Sequence, residues 1–351
     1  YGDHRDLHLS IRRQRQMCIR DSNHNGDYLA LSAAGSEARR IDSSGNVAFA
    51  GNLNLTGGGT IDSSGSASDT AGFSIVSYTG TGSKGTVKHG LSTAPKMIWI
   101  KNRTAVQNHN IIDSVRGTAA GPLFTNTNGT GDGVERVRTH SYGITTFGNY
   151  EYTNTNNADF IEWCWIAGGS AGKYYDDGKA YATAVEAGFG AGTITVNKAS
   201  INRKAGFGIY QYTGSGSTSG KFVHGLNQAP SFMMVKKMNE SPNGPFIGLY
   251  TDSSQSYDMY MSASMSNTGM FQAQVDSSTI GFNENGHGGH AYVNNGEYIL
   301  YAWHSVPGYS AIGTYTGNQS TNGPFVYTGF KPAFVIVKPV SDNHWSMLDL
   351  S

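Results

Sequence analysis

The sequence predicts an all-β protein made of tandem antiparallel β-sandwich modules, jelly-roll or concanavalin-like, with glycine-rich turns and a short β shaft on the N-terminal side. Three observations predict it. Glycine makes up 47 of 351 residues, about 13% and roughly twice the usual share, while charged residues are only 14%. Short alternating or continuously apolar runs are separated by turn signals every 8–12 residues, the spacing of a sandwich or barrel. The chain also repeats itself three times from residue 71 onward.

Composition narrows the class further. Lys+Arg and Asp+Glu both number 25, so no basic surplus points to a nucleic-acid binder. Twenty Tyr, 15 Phe and five Trp supply a packed core and argue against wholesale disorder. No every-third-residue glycine period suggests collagen. No apolar run approaches the roughly 18 residues of a membrane span.

Residues 1–22, YGDHRDLHLSIRRQRQMCIRDS, differ from everything downstream in being charge-rich and nearly glycine-free. Their back-translation resembles a short-read library adapter read in frame, so they are expected to be an artefact and not a native arm. Without them the chain carries 20 basic and 22 acidic residues and one cysteine, Cys164, which leaves no intrachain disulfide. In residues 23–70 the pentapeptide IDSSG recurs at 41–45 and 61–65. Between the two copies, Val47 and Phe49, then Leu53 and Leu55, alternate with small residues. Such short strands bury little in one chain, so the segment is expected to be a fibre-like shaft in which three chains share a core, or else a flexible linker.

The first unit spans 71–169 and the second 205–306, with an insert at 170–204. A third begins at 307 and is less than half complete at 351. Each opens with a strand ending in Tyr-Thr-Gly (Tyr78–Gly80, Tyr212–Gly214, Tyr315–Gly317). Each then has a glycine-bearing turn and a proline six residues before a lysine (95 to 101, 230 to 236, 332 to 338). The apolar runs MIWI, FMMV and FVIV between them read as central strands buried on both faces. Trp165 and Trp303 match at an offset of 138, as do Asn156-Asn157 and Asn294-Asn295. Within the insert, KYYDDGKAYATAVEAG is the one stretch with the composition of a short helix, and TITVNKASI alternates like a strand. Whether the units pack together or hang as a string is open at this level.

Few residues carry chemistry. GTGSKG at 80–85 fits a dinucleotide glycine pattern, but no helix follows to receive a pyrophosphate, so it is read as a hairpin turn. His287 and His290 are three apart and weak metal candidates, because the ligand set is incomplete and glycines separate them. His89 and His224 recur in His-Gly-Leu and are read as turn histidines. Asp113, Asp252 and Asp349 recur after the apolar strand, where Asx-turn bonding is the expected role. Trp163, Trp165 and Trp303 are possible ligand-contact aromatics if exposed and core if buried. Cys164 reads as a small buried thiol. No catalytic residue and no cofactor is expected.

The segments GFSIVSYTG, HGLSTAPKMIWIKNR, DSVRG and EWCWIAGG together resemble an uncharacterised β-rich domain family repeated in tail and other virion-associated proteins of marine bacteriophages and in ocean metagenomes. RIDSSGNVAFAGNLNLTGGG is similar to phage tail-fibre shafts. The resemblance implies a virion or extracellular setting, a homotrimer through the shaft and contact with host-surface glycan or protein; it carries no catalytic residue. The resulting expectation is a structural or adhesive virion protein. Its alternatives are a polysaccharide depolymerase or glycosidase, which needs two facing carboxylates such as Asp113 and Glu162, and a secreted bacterial carbohydrate-binding module.

Overall fold

The computed structural model describes side chains for residues 72–127, 133–169, 174–217, 219–239, 246–251, 274–282, 294–339 and 345–349, and the backbone of further strands. The chain divides into two bodies, Tyr1–Ser66 and Ala67–Ser351, and all three repeat units lie in the second. In the first, the strands Cys18–Ile19, Leu29–Ala33, Ser36–Ile41 and Val47–Phe49 form one antiparallel sheet in chain order. The expected strand through Val47 and Phe49 is present; Leu53 and Leu55 lie outside the described residues.

Among the described residues the second body is all β apart from one 3-10 turn, Thr118–Ala120. Its first large sheet runs Phe73–Thr79, Asp159–Trp165, Met97–Asn102, Asn110–Asp113, Leu123–Phe124, antiparallel throughout. The second has the same four-strand centre: Phe207–Thr213, Glu297–Trp303, Phe232–Lys237, Ile247–Thr251. The register repeats as well. Trp165 stands between Phe73 and Met97, and Trp303 stands between Phe207 and Phe232. The third unit supplies a hairpin, Phe334–Val337 with Ser346–Asp349, which matches the Met97 and Asn110 strands.

Both faces of the central strands of each large sheet are buried, which explains the continuously apolar runs. Ile98, Ile100, Phe160 and Cys164 face a three-stranded sheet of Gly85–Val87, Val137–His140 and Gly143–Thr146. Met233, Val235, Tyr298 and Leu300 likewise belong to a core completed by Phe222, Ile280 and Phe282 of the sheet Lys221–Val223, Phe271–Val275, Thr279–Glu284. The alternate residues point the other way, into a core shared by all three units. Met97, Phe232 and Phe334 occupy one repeat position, Trp99, Met234 and Ile336 the next on that face, and all six meet in that core. Trp165 touches Phe207 and Trp303 of unit two and Phe334 of unit three, while Phe232 meets Trp345. The units are therefore not beads on a string. In the third hairpin Phe334 and Ile336 pack inward, but Val335 is exposed, so here the apolar run is covered on one face only.

The insert extends the second sheet. Thr195–Asn202 pairs with the Phe207 strand as its alternation predicts, and Tyr174–Asp176 adds in parallel. The helix-like stretch is not a helix. Tyr174–Asp176 and Lys179–Tyr181 form a hairpin through Asp177 and Gly178, both at positive φ (46° and 87°). Helix-start bonding follows, with Thr183 and Glu186 each accepting the other's backbone N–H, but it ends after one turn at Gly188, φ 81°. The GTGSKG segment is a turn, as expected. A Cβ on Gly80 would lie 2.2 Å from the Thr155 carbonyl, so only glycine lets the turn close.

Candidate functional site

The sequence-marked residues fall into three environments. The histidines are clamps. His89 Nδ1 accepts the Leu91 N–H at 3.0 Å and Nε2 meets the His140 carbonyl at 2.8 Å; His224 does the same with Leu226 (3.1 Å) and Asp276 (3.0 Å). Accepting at Nδ1 fixes the Nε2–H tautomer, so each ring bridges its turn to the small sheet as a neutral imidazole. Burial lowers the His224 pKa in agreement.

The second environment is the seam between units one and two. Asp113 makes the expected Asx-turn, accepting the N–H of Val115 (3.0 Å) and Arg116 (2.9 Å) at Oδ1. Its Oδ2 holds Arg116 Nε at 2.6 Å and the Tyr301 hydroxyl of unit two at 2.8 Å. Lys198 Nζ reaches the Val115 carbonyl at 3.3 Å from the other side. Lys236, lying over the Phe246 ring at 5.2 Å, has its pKa lowered to about 8 by burial and by the nearby Arg116. The Asp113–Arg116 turn thus bonds Tyr301 and lies near Lys236, with Val115 in the same core as Met234 and Phe246. Glu162 points to the opposite face of the first sheet, among Phe160 and Cys164, where unit two has Leu300. Burial pushes its pKa up to about 8, against a smaller lowering from the Tyr78 hydroxyl, and neither oxygen has a hydrogen-bond partner of ordinary geometry. Asp113 and Glu162 do not face one another across a groove.

The third environment is an open cleft of about 580 Å³ between the first large sheet and the third hairpin. Trp99, Trp163, Lys101 and His109 form one wall, with Arg103, Gln107 and Asn126 along the rim; Ile336, Trp345, Met347 and Asp349 form the other. Lys101 Nζ donates to the carbonyls of Asn102 (2.8 Å) and Gln107 (2.9 Å), which shapes the rim loop. Trp99 is edge-on to both Trp163 (6.3 Å) and His109 (6.2 Å). Burial, then the Lys101 charge, lowers the His109 pKa to about 4. Trp99 Nε1, Trp163 Nε1 and His109 Nδ1 have no hydrogen-bond partner among the described residues.

Of the aromatics singled out from sequence, only Trp163 lines this cleft. Trp165 and Trp303 are in the shared core, 6.2 Å apart. His287, His290 and Asp252 lie outside the described residues, among which no group of three or more potential metal ligands occurs. No helix there is long and apolar enough to cross a membrane. Sequence reasoning missed His109, Gln107, Asn126 and Trp345. Only the lysine spacing and the KNR segment hinted at Lys101 and Arg103.

No curated protein and no solved structure is significantly similar to the chain. A family model matches residues 43–98 and 93–351, nearly the whole chain including the seam, the cleft and both complete repeats. The chain therefore belongs to the family described as a domain of unknown function, DUF7483.

Proposed function

We propose that this chain is a structural or adhesive virion protein, a β-rich head on a fibre-like trimeric stem, which contacts host-surface glycan through polar loops. The observation that carries the reading is the shared core: three repeated sheets bury equivalent positions against one another. Such fusion suits a part that must resist load. The charged and polar groups marked by the sequence support it, because Asp113, Arg116, His89 and His224 are each used in bonds that join elements. The depolymerase alternative draws no support from Asp113 and Glu162, which occupy opposite faces of one sheet. The resemblance of the repeat segments to phage tail sequences supplies the setting. Tyr-, Ser-, Asn- and Gly-rich loops suit polar recognition at low affinity, multiplied by a trimeric stem.

Two measurements on the full chain test this. Antibodies raised against it should decorate tail-associated structures in phage particles, and labelling confined to bacterial cells would overturn the virion role. On a glycan array the multimerised chain should bind a restricted set of surface glycans without releasing reducing ends. Release of reducing ends would favour the enzyme, and an array without binding would leave the structural role alone.

A further inference from the structure

The chain as a whole carries equal numbers of basic and acidic residues, but the small sheet of the first unit gathers positive charge on its outer face. Val137, Ile144 and Val87 point into the core, so strand alternation turns Arg138, Thr145 and Thr86 outward in one row. Lys84 and Lys88 sit at the two ends of the Thr86 strand, and both lysines and Arg138 are exposed. Lys84 and Arg138 lie over the Phe147 ring, 5.7 and 5.4 Å from its centroid, which keeps both on this face. Glu135 is the one acidic side chain bonded to these three cations among the described residues. It takes Nε and Nη2 of Arg138 and is held by Thr118 at 2.6 Å, which leaves Nη1 outside the fork. At the hairpin tip Tyr142 is 68% exposed and stacks flat on His140, with centroids 4.9 Å apart and planes at 10°.

The second unit builds the same sheet without these groups. Its histidine clamp and its pairing match: His224 meets the Asp276 carbonyl as His89 meets that of His140, and Lys221 is opposite Gly281 as Thr86 is opposite Thr145. At that register Ser219, Val223, Gln274 and Ser278 stand where the first unit has Lys84, Lys88, Arg138 and Tyr142. Only Lys221, at the place of Thr86, adds a cation there. The three cations and the exposed ring are therefore not what holds such a sheet together.

We propose that this face binds an acidic polysaccharide, whose sulfate or carboxylate groups pair with Lys84, Lys88 and Arg138 while one sugar ring stacks on Tyr142. Lys84 and Lys88 are four residues apart, about 13 Å along the strand, a span suited to charges recurring along a polymer and too wide for one small anion. A single-stranded nucleic acid would need successive open rings for successive bases. Here Phe147 is taken up by its two cations, and Tyr142 is the one open ring beside them. The inference rests on the adhesive reading and narrows its ligand.

The test measures binding of the full chain to immobilised dextran sulfate, alginate and neutral dextran at rising salt. The expected result is binding to at least one acidic polymer, weakened by salt, and none to dextran. Binding to dextran sulfate alone or to alginate alone assigns the acid group. Lys84→Ser, Lys88→Val and Arg138→Gln together, each copied from the second unit, should weaken binding about tenfold with the thermal midpoint kept. The basic run at residues 12–20 is intact in this variant and cannot cause the difference. Tyr142→Ser, read separately, should weaken binding with its salt dependence unchanged, and it carries the test if the triple variant unfolds. Undiminished binding in these variants, equal binding to dextran, or tighter binding to a DNA oligonucleotide overturns the proposal. Binding confined to neutral glycans overturns it and leaves the adhesive reading standing, whereas no binding to any glycan ends both.

Discussion

The Tyr301 hydroxyl donates a 2.8 Å hydrogen bond to Asp113 Oδ2, joining residues 188 positions apart in two different repeats. Both groups are buried, and the same carboxylate oxygen holds Arg116. A bond to a buried ion pair is worth more than a neutral bond, about 1.5–3 kcal/mol. Tyr301→Phe is therefore expected to lower the unfolding free energy by about 2 kcal/mol. Asp113→Ala, which strands the Arg116 guanidinium, should cost about 3–5 kcal/mol. Urea unfolding at constant slope reads both. In the double variant the two losses should fall well short of adding.

Glu162 is a carboxyl where the second unit has Leu300. Its folded pKa is about 8 against an ordinary 4.5, chiefly because it is buried. The folded state holds the proton more tightly, so the group's contribution is fully present below pH 4.5 and is lost as pH rises to 8. The loss amounts to about 5 kcal/mol at 1.36 kcal/mol per pH unit. Glu162→Leu should remove that slope and raise stability most at pH 8. Denaturant midpoints from pH 4.5 to 8.5 check it; a parallel shift at every pH would contradict the assignment.

His109 has the opposite sign. Its pKa falls from 6.5 to about 4, first through burial and then through Lys101. Its contribution is present above pH 6.5 and lost as pH falls to 4, by about 3 kcal/mol. His109→Phe, copying Phe246, should flatten that acid limb. Its backbone bonds to Asn126 (3.0 Å) and Thr125 (3.0 Å) do not involve the ring and persist. The acid limb of the same titration reads it out.

Cys164 is fully buried, and its thiol pKa is raised by burial and then by Glu162. It should resist maleimide in the native chain and react only on unfolding, at a rate that tracks unfolding and not thiol ionisation. Peptide mapping after timed labelling resolves this site.

The sequence made the fold class legible because each unit announces itself through Tyr-Thr-Gly and the proline-to-lysine spacing, and the two complete units also through paired asparagines. Asn157 and Asn295 do adopt the same positive φ, 59° and 58°. The Asx role of Asp113 was also legible, since it depends on neighbours two and three residues away. The partner on its other oxygen was not. No local pattern connects Asp113 to Tyr301, because the link exists only once two sheets are stacked. The same holds for the cleft: Trp99 and Trp345 carry no sequence mark that distinguishes them from core tryptophans. The KYYDD stretch misled because composition outweighed turn chemistry at Asp177-Gly178.

Packing three repeats about a shared core should make them unfold as one cooperative body. The most direct test is hydrogen exchange in the full chain carrying Tyr301→Phe, comparing the strands Asp159–Trp165 and Glu297–Trp303. Protection should fall by the same factor in both, although the substitution lies in only one. Unchanged protection across Asp159–Trp165, with loss confined to Glu297–Trp303, would contradict it.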